Sequence, residues 1–230
     1  MTDHSSHPVI ARFDRVLEEA VGRIEDSPFV KDLAAGKRVL PLYEAYLREA
    51  YHFVRLTSSF TPLAARRMDP ELLGLRQWIL HHSAHEMGHE LMALQDLEIL
   101  GQSRESVKAS QPRPGTWQWV HFFYYQVVER PPFAAMGVLY FLEGMAAKLA
   151  PIVVQQVLPS LEGEKKRATL FVREHGELDL EHTDEQKDVL VKYCTNPFDQ
   201  DVVCETILQA SYAKRAMIDH IAETVGNRAP

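Results

Sequence analysis

The sequence predicts an all-α protein of one domain. Apolar residues recur at three- and four-residue intervals along nearly the whole chain, and period-two runs rich in Val, Ile and Thr are missing. No Ser/Gly/Pro-rich linker or block of like charge separates the periodic segments, so the 230 residues read as a single compact core.

The elements follow from apolar spacing and from helix-ending residues. A first helix starts at Pro8, after a serine cap at Ser5 or Ser6, and runs through Ile10, Phe13, Val16 and Leu17 to about Ile24. A short helical piece follows Ser27. A longer one runs from about Leu40 through Tyr43, Tyr46, Leu47 and Val54 to about Phe60, ahead of Pro62. Asp69-Pro70 then caps a long helix to about Leu100, closed by Gly101, whose backbone can turn left-handed. Residues 102–115 hold Pro112, Pro114 and Gly115 and read as a loop. Helices follow from Trp117 to about Val128, from Phe133 to about Leu149 and from about Ser160 to His182. The last two span Asp184–Tyr193 and Phe198 to about Val225, separated by Asn196-Pro197.

Charge and composition narrow the function. With 25 Lys+Arg against 32 Asp+Glu, the net charge of -7 offers no overall basic field for nucleic acid or anionic lipid. The most apolar stretch, Phe133–Leu142, is closed by Glu143 well before the roughly 20 residues a bilayer crossing needs. The first residues carry neither a cationic start nor a hydrophobic signal core, so a cytoplasmic location is expected. The two cysteines, Cys194 and Cys204, are too few for a disulfide framework and lack zinc-site spacing. A homodimer is expected, two-fold pairs being the commonest oligomer.

One pattern occurs twice. His82-x3-Glu86-x2-His89 and His175-x3-Asp179-x2-His182 are both His-x3-acid-x2-His. On an α-helix, positions i, i+4 and i+7 share one stripe, so each segment offers two imidazoles and a carboxylate to one side. One such match is weak evidence; two on separate helices are not readily produced by chance. Glu143 adds a carboxylate inside the apolar run Val138-Leu-Tyr-Phe-Leu-Glu-Gly-Met145, where an unpaired charge would be costly unless coordinated. Carboxylate-x2-His pairs from two helices, with further carboxylates from others, form the ligand recipe of di-iron and di-manganese helical proteins. Glu49 and His52, with Glu44 behind them, are the candidates for a remaining ligand. Imidazole and carboxylate without thiolate suit iron or manganese, and the ligand types do not exclude zinc.

The segments Tyr51-His-Phe-Val-Arg55, His85-Glu-Met-Gly-His-Glu90 leading into Asp96-Leu-Glu-Ile-Leu-Gly101, Tyr140-Phe-Leu-Glu-Gly144 and the second histidine motif occur in an order that resembles the heme-oxygenase-like di-iron oxidases. That group is often described as iron-containing redox enzymes and shares its fold with thiaminase II and pyrroloquinoline-quinone synthase. The resemblance spans about residues 40–185. It implies a bundle of about seven helices around a central pocket with two ferrous ions held by Glu86, His89, Glu143, His175, Asp179 and His182. It also implies activation of dioxygen to oxidise a small metabolite, by amine N-oxygenation, carbon-carbon cleavage of an amino acid or oxidative decarboxylation of a fatty acid. Where other members carry a glutamate seven residues before the first-motif histidine, this chain has His82. Apolar walls from Phe122, Phe123, Phe133, Val138, Leu139 and Leu142 are expected to exclude water, and Arg55, Arg66 and Arg67 to lie on the surface. Two other readings stand beside this one: a metal-free enzyme of the same fold, whose hydrolytic form needs a cysteine in the pocket, and a non-catalytic metal- or ligand-binding protein.

Overall fold

A computed structural model describes residues 7–226, with side chains described throughout except at 177–182. Its ten α-helices and two short 3-10 turns exceed the seven substantial helices expected, and no strand occurs among the described residues.

Local chemistry explains most boundaries. Helix α1 (Pro8–Glu25) begins on its proline and buries Ile10, Phe13, Leu17, Ala20, Val21 and Ile24 along one stripe. In α2 (Pro28–Ala34) the Ser27 hydroxyl accepts the Val30 amide at 3.1 Å, satisfying one free donor of the first turn. Helix α3 (Val39–Arg67) runs through Pro62 instead of stopping at Phe60; the hydroxyls of Thr57 and Thr61 turn back onto backbone carbonyls of Val54 and Thr57 beside it.

The single long helix expected over 70–100 is two. Helix α4 (Leu73–Glu86) ends at Met87, and α5 (His89–Ile99) starts anew after Gly88. Gly88 adopts φ 101°, a left-handed backbone that glycine takes without a Cβ penalty. Apolar periodicity continued across this break and concealed it. Within the expected loop, Ser103 accepts the Ser106 amide at 3.2 Å and starts the short α6 (Arg104–Ala109).

Helix α7 (Pro114–Val128) is followed by α8 (Phe133–Val157), which continues past Leu149 and through Pro151. With the turn after it, Phe133–Ser160 is long and apolar enough by length and composition to cross a membrane, contrary to the ten-residue limit read from the sequence. Half of its most apolar window is buried, as expected of a helix packed among others. The expected helix over 160–182 begins only at Leu170 and does not stop at His182: α9 (Leu170–Tyr193) absorbs the segment from Asp184 as well. Helix α10 (Pro197–Gly226) closes the fold.

The arrangement places α8 at the centre, packed most extensively against α9 and α10. Helix α3 packs on α4, α5 and α7, while α9 faces α4 and α5 on its other side. At the α8–α10 crossing, a Cβ on Gly137 would lie 2.7 Å from the Val203 carbonyl oxygen, so the missing side chain permits that approach. The space enclosed by α3, α4, α8 and α9 is where the histidines and carboxylates meet.

Candidate metal centre

Four elements supply the centre. Helix α4 brings His82 and Glu86 from successive turns, α5 brings His89 as its first residue, α8 brings Glu143 and α9 brings His175. Because Gly88 breaks the first motif, His89 does not share the α4 stripe; the turn folds it back, with Nδ1 3.3 Å from Glu86 Oε2. Across the cluster, His82 Nε2 lies 3.5 Å from Glu143 Oε1.

These side chains form two overlapping sets. Glu86, His89 and His175 each offer a ligand atom within 4.8 Å of the others, as do His82, Glu86 and Glu143. Glu86 belongs to both. Its carboxyl is buried, which works against ionisation, but the hydrogen bond with His89 and the positions of His82 and His175 outweigh burial and hold it at about 2.

The imidazoles are held from behind. His175 Nδ1 donates to the Phe171 carbonyl at 2.7 Å, since a carbonyl can only accept, and this leaves Nε2 as the ring's acceptor nitrogen. Burial lowers the His175 pKa, with Glu86 opposing, and so favours the neutral ring that a metal ligand requires. The His82 ring is stacked on Trp78 at 5.0 Å between centroids. His89 meets His175 edge to face at 4.9 Å. Behind α9, Asp96 accepts the amides of Leu170 and Phe171 at 3.2 and 2.9 Å, tying the start of that helix to α5. Burial pushes the Asp96 carboxyl up to about 6 despite those bonds.

Asp179 and His182, the remaining residues of the second motif, lie outside the described side chains. Glu49 and His52 join neither set. Glu49 is 1% exposed, with Oε1 3.2 Å from Arg113 Nε and Oε2 accepting the Arg113 amide and the Thr116 hydroxyl at 3.0 and 2.6 Å. It anchors the start of α7. His52 is 2.9 Å from the Ser110 hydroxyl, and burial, aided by Arg55 and Arg48, pushes its pKa down to about 4. Helix spacing put both residues on an inward face of α3, but that face is longer than the cluster is wide.

A cavity of about 160 Å³ opens from the cluster into the bundle. His82, Glu86, Glu143 and His175 line it, with walls that include Tyr46, Phe53, Phe123, Leu139, Leu142 and Phe171, and it reaches the exposed residues Ala34 and Ile152. Of the expected apolar walls, Phe123, Leu139 and Leu142 belong to it; Phe122, Phe133 and Val138 pack elsewhere. Arg55, Arg66 and Arg67 are not among its described lining. Lys214 is, and sequence reading passed it over. The available signal was a lysine on the stripe Ile207, Ala210, Lys214, Met217 and Ile221 of α10, among otherwise apolar buried residues.

Comparison with known proteins identifies the family and the fold. A family described as iron-containing redox enzyme matches residues 44–215. In structure the chain is similar to a domain of unknown function with a heme oxygenase-like fold from Shewanella denitrificans, at 24% identity and TM-score 0.80, covering 92% of this chain and 90% of that one. It is also similar to a TenA homolog from Pseudomonas syringae, at 11% identity and TM-score 0.78, covering 94% and 93%. A CADD-like protein from Nostoc punctiforme aligns at 17% identity and TM-score 0.71, over 94% and 99%. These likenesses show a heme-oxygenase-like fold. No curated protein matches the chain.

Proposed function

This chain belongs to the iron-containing redox enzyme family, and we propose that it is a non-heme di-iron enzyme that uses dioxygen to oxidise a small metabolite with an apolar portion. The observation that carries this reading is the pair of three-residue sets joined at Glu86, which suits two metal ions sharing one carboxylate. Glu86, His89 and His175 would hold one ion and His82, Glu86 and Glu143 the other, with Asp179 and His182 added by the family resemblance. The donors are nitrogen and oxygen only, a set that suits iron and also accepts manganese. When bound, two ferrous ions supply the electrons and the Lewis acidity needed to activate dioxygen.

The chain's own residues supply the rest. Glu86, ionised at neutral pH, contributes negative charge between the two positions. The Phe171 carbonyl keeps the His175 proton on Nδ1, so Nε2 would offer its lone pair to a metal ion. Trp78 and Phe171 limit how far the His82 and His175 rings can turn. The apolar lining from α3, α7 and α8 excludes water from the oxidising centre and takes the apolar part of the substrate.

A second reading, catalysis without metal, draws on the fold shared with the TenA homologues. Its thiol-dependent hydrolytic form is disfavoured because neither Cys194 nor Cys204 lines the cavity, and burial pushes the Cys194 thiol up to about 12.

Anaerobic loading with ferrous iron, an iron count per chain and stopped-flow mixing with oxygen would separate these readings. Two irons per chain, with an absorbance change that decays faster in the presence of substrate, is the expected result. Absence of bound iron, or iron inert towards oxygen, would overturn the di-iron assignment.

A further inference from the structure

Lys214 stands apart from the other lysines and arginines among the described residues. It is 1% exposed, and its Nζ has no hydrogen-bond partner among the described residues. The ammonium sits 3.7 Å from the Phe53 ring centroid and 4.9 Å from that of Trp119. Aromatic faces attract a cation, but they offer no lone pair, so the hydrogen-bonding capacity of this group is unused. Burying a charge in this way is unfavourable unless something in the cavity completes it. Burial pushes its pKa down to about 7.

The same cavity is thus lined by two chemically different kinds of polar group, the histidine-carboxylate cluster and the Lys214 ammonium beside Phe53, with Phe123 and Leu139 also in its wall. The hydroxyls of Thr57, Ser58 and Thr61 line it too, but each is turned onto a carbonyl of its own helix. Arg55, Arg66 and Arg67 are not part of the described lining, in which Lys214 stands as the lysine beside the two histidines.

We propose that Lys214 is the anchor for the carboxylate of an amphiphilic organic acid, whose apolar body lies along the Phe53–Phe123–Leu139 wall and presents a carbon remote from the carboxylate to the metal centre. The proposal rests on reading this cavity as the substrate pocket of the di-iron enzyme. It orders the substrate by polarity: the carboxylate pairs with Lys214 and stays off the metal ligands, and the apolar portion is what meets the oxidant. A carboxylate would give the ammonium a charged acceptor where it now has only ring faces.

Calorimetric titration of the full chain under anaerobic conditions, in one fixed metal state, tests this with octanoate and its uncharged isostere octanamide. Wild type is expected to bind octanoate ~10-fold or more tightly than octanamide, the discrimination of one charge-assisted pair. In Lys214→Met the two should bind within about twofold, with octanamide affinity kept. Lys214→Gln serves as a second variant should the first not fold, and the wild-type comparison needs neither. No preference in wild type, binding of neither probe, or a preference that survives in the variants would overturn the proposal, the last placing the carboxylate on the metal. Failure of the di-iron reading shows separately, as missing iron, and leaves this comparison intact.

Discussion

At the residue scale, two inward-facing glutamates do different work. Glu86 sits among three imidazoles, whereas Glu49 is spent on Arg113 and Thr116. Replacing Glu86 by Ala should therefore lower bound iron to one ion or fewer per chain, measured by metal analysis after anaerobic loading. Glu49→Gln should leave the iron count unchanged yet lower the melting temperature by several degrees, because a buried, hydrogen-bonded ion pair loses one charge, at ~2–4 °C per kcal/mol for a chain this size. Iron loss in Glu49→Gln would return that residue to the centre. Lys214 gives a pH signature. Its folded pKa of about 7 lies below the usual lysine value of 10.5, so between those limits the unfolded chain binds more protons. Stability from this site is thus greatest above 10.5 and is lost as pH falls to about 7. The melting temperature of wild type should rise relative to Lys214→Met between pH 7 and 9.5, read by paired thermal melts. A constant difference across that range would show that the amine is not desolvated as described.

At the element scale, the break between α4 and α5 decides the shape of the centre. A continuous helix would hold His89 on the stripe of His82 and Glu86; the turn at Gly88 instead brings its ring back over Glu86 and against His175 on α9. A Cβ at Gly88 would meet nothing within 4 Å, so the requirement is purely one of backbone conformation. Gly88→Ala should cost about 1–2 kcal/mol for the left-handed backbone and weaken metal binding through displacement of His89. Thermal melting and an iron titration check the two effects, and unchanged values for both would mean the turn can re-form without glycine. Helix α9 is set by a different device: Asp96, reaching from α5, accepts its first amides, so the element that presents His175 is tied at its start to the element that presents His89.

At the scale of the whole molecule, the centre fastens together helices that are distant in the chain. His82 and His175 are brought together from α4 and α9, with Glu143 of α8 beside them. Three like-acting imidazoles and two buried carboxylates gathered in an apolar interior favour the fold less without ions than with them. Ions that bind the folded chain alone stabilise it by mass action, by ~2.7 kcal/mol at a hundredfold excess over the dissociation constant. Chelation of the iron-loaded protein should thus lower its melting temperature, while the same chelator should lower that of Glu86→Ala by less. An equal response of both proteins would show that the chelator acts somewhere other than this centre.

The sequence by itself determined the helical class, the two repeated motifs and the carboxylate buried in an apolar run. Each of these is a local pattern: apolar periodicity, i, i+4, i+7 spacing, and a charge among hydrophobic neighbours can all be read within a few turns of chain. It did not reveal the turn at Gly88, because one glycine inside a periodic stretch is compatible with either a continuous or a broken helix until neighbouring helices select one. It could not place Glu49, since whether that carboxylate meets the histidines or Arg113 depends on a partner 64 positions away. Nor could it mark Lys214, a single lysine on a helix stripe, as a buried cation. Those assignments were decided by tertiary structure, because burial and charge pairing are properties of the assembled bundle, and no single helix carries them alone.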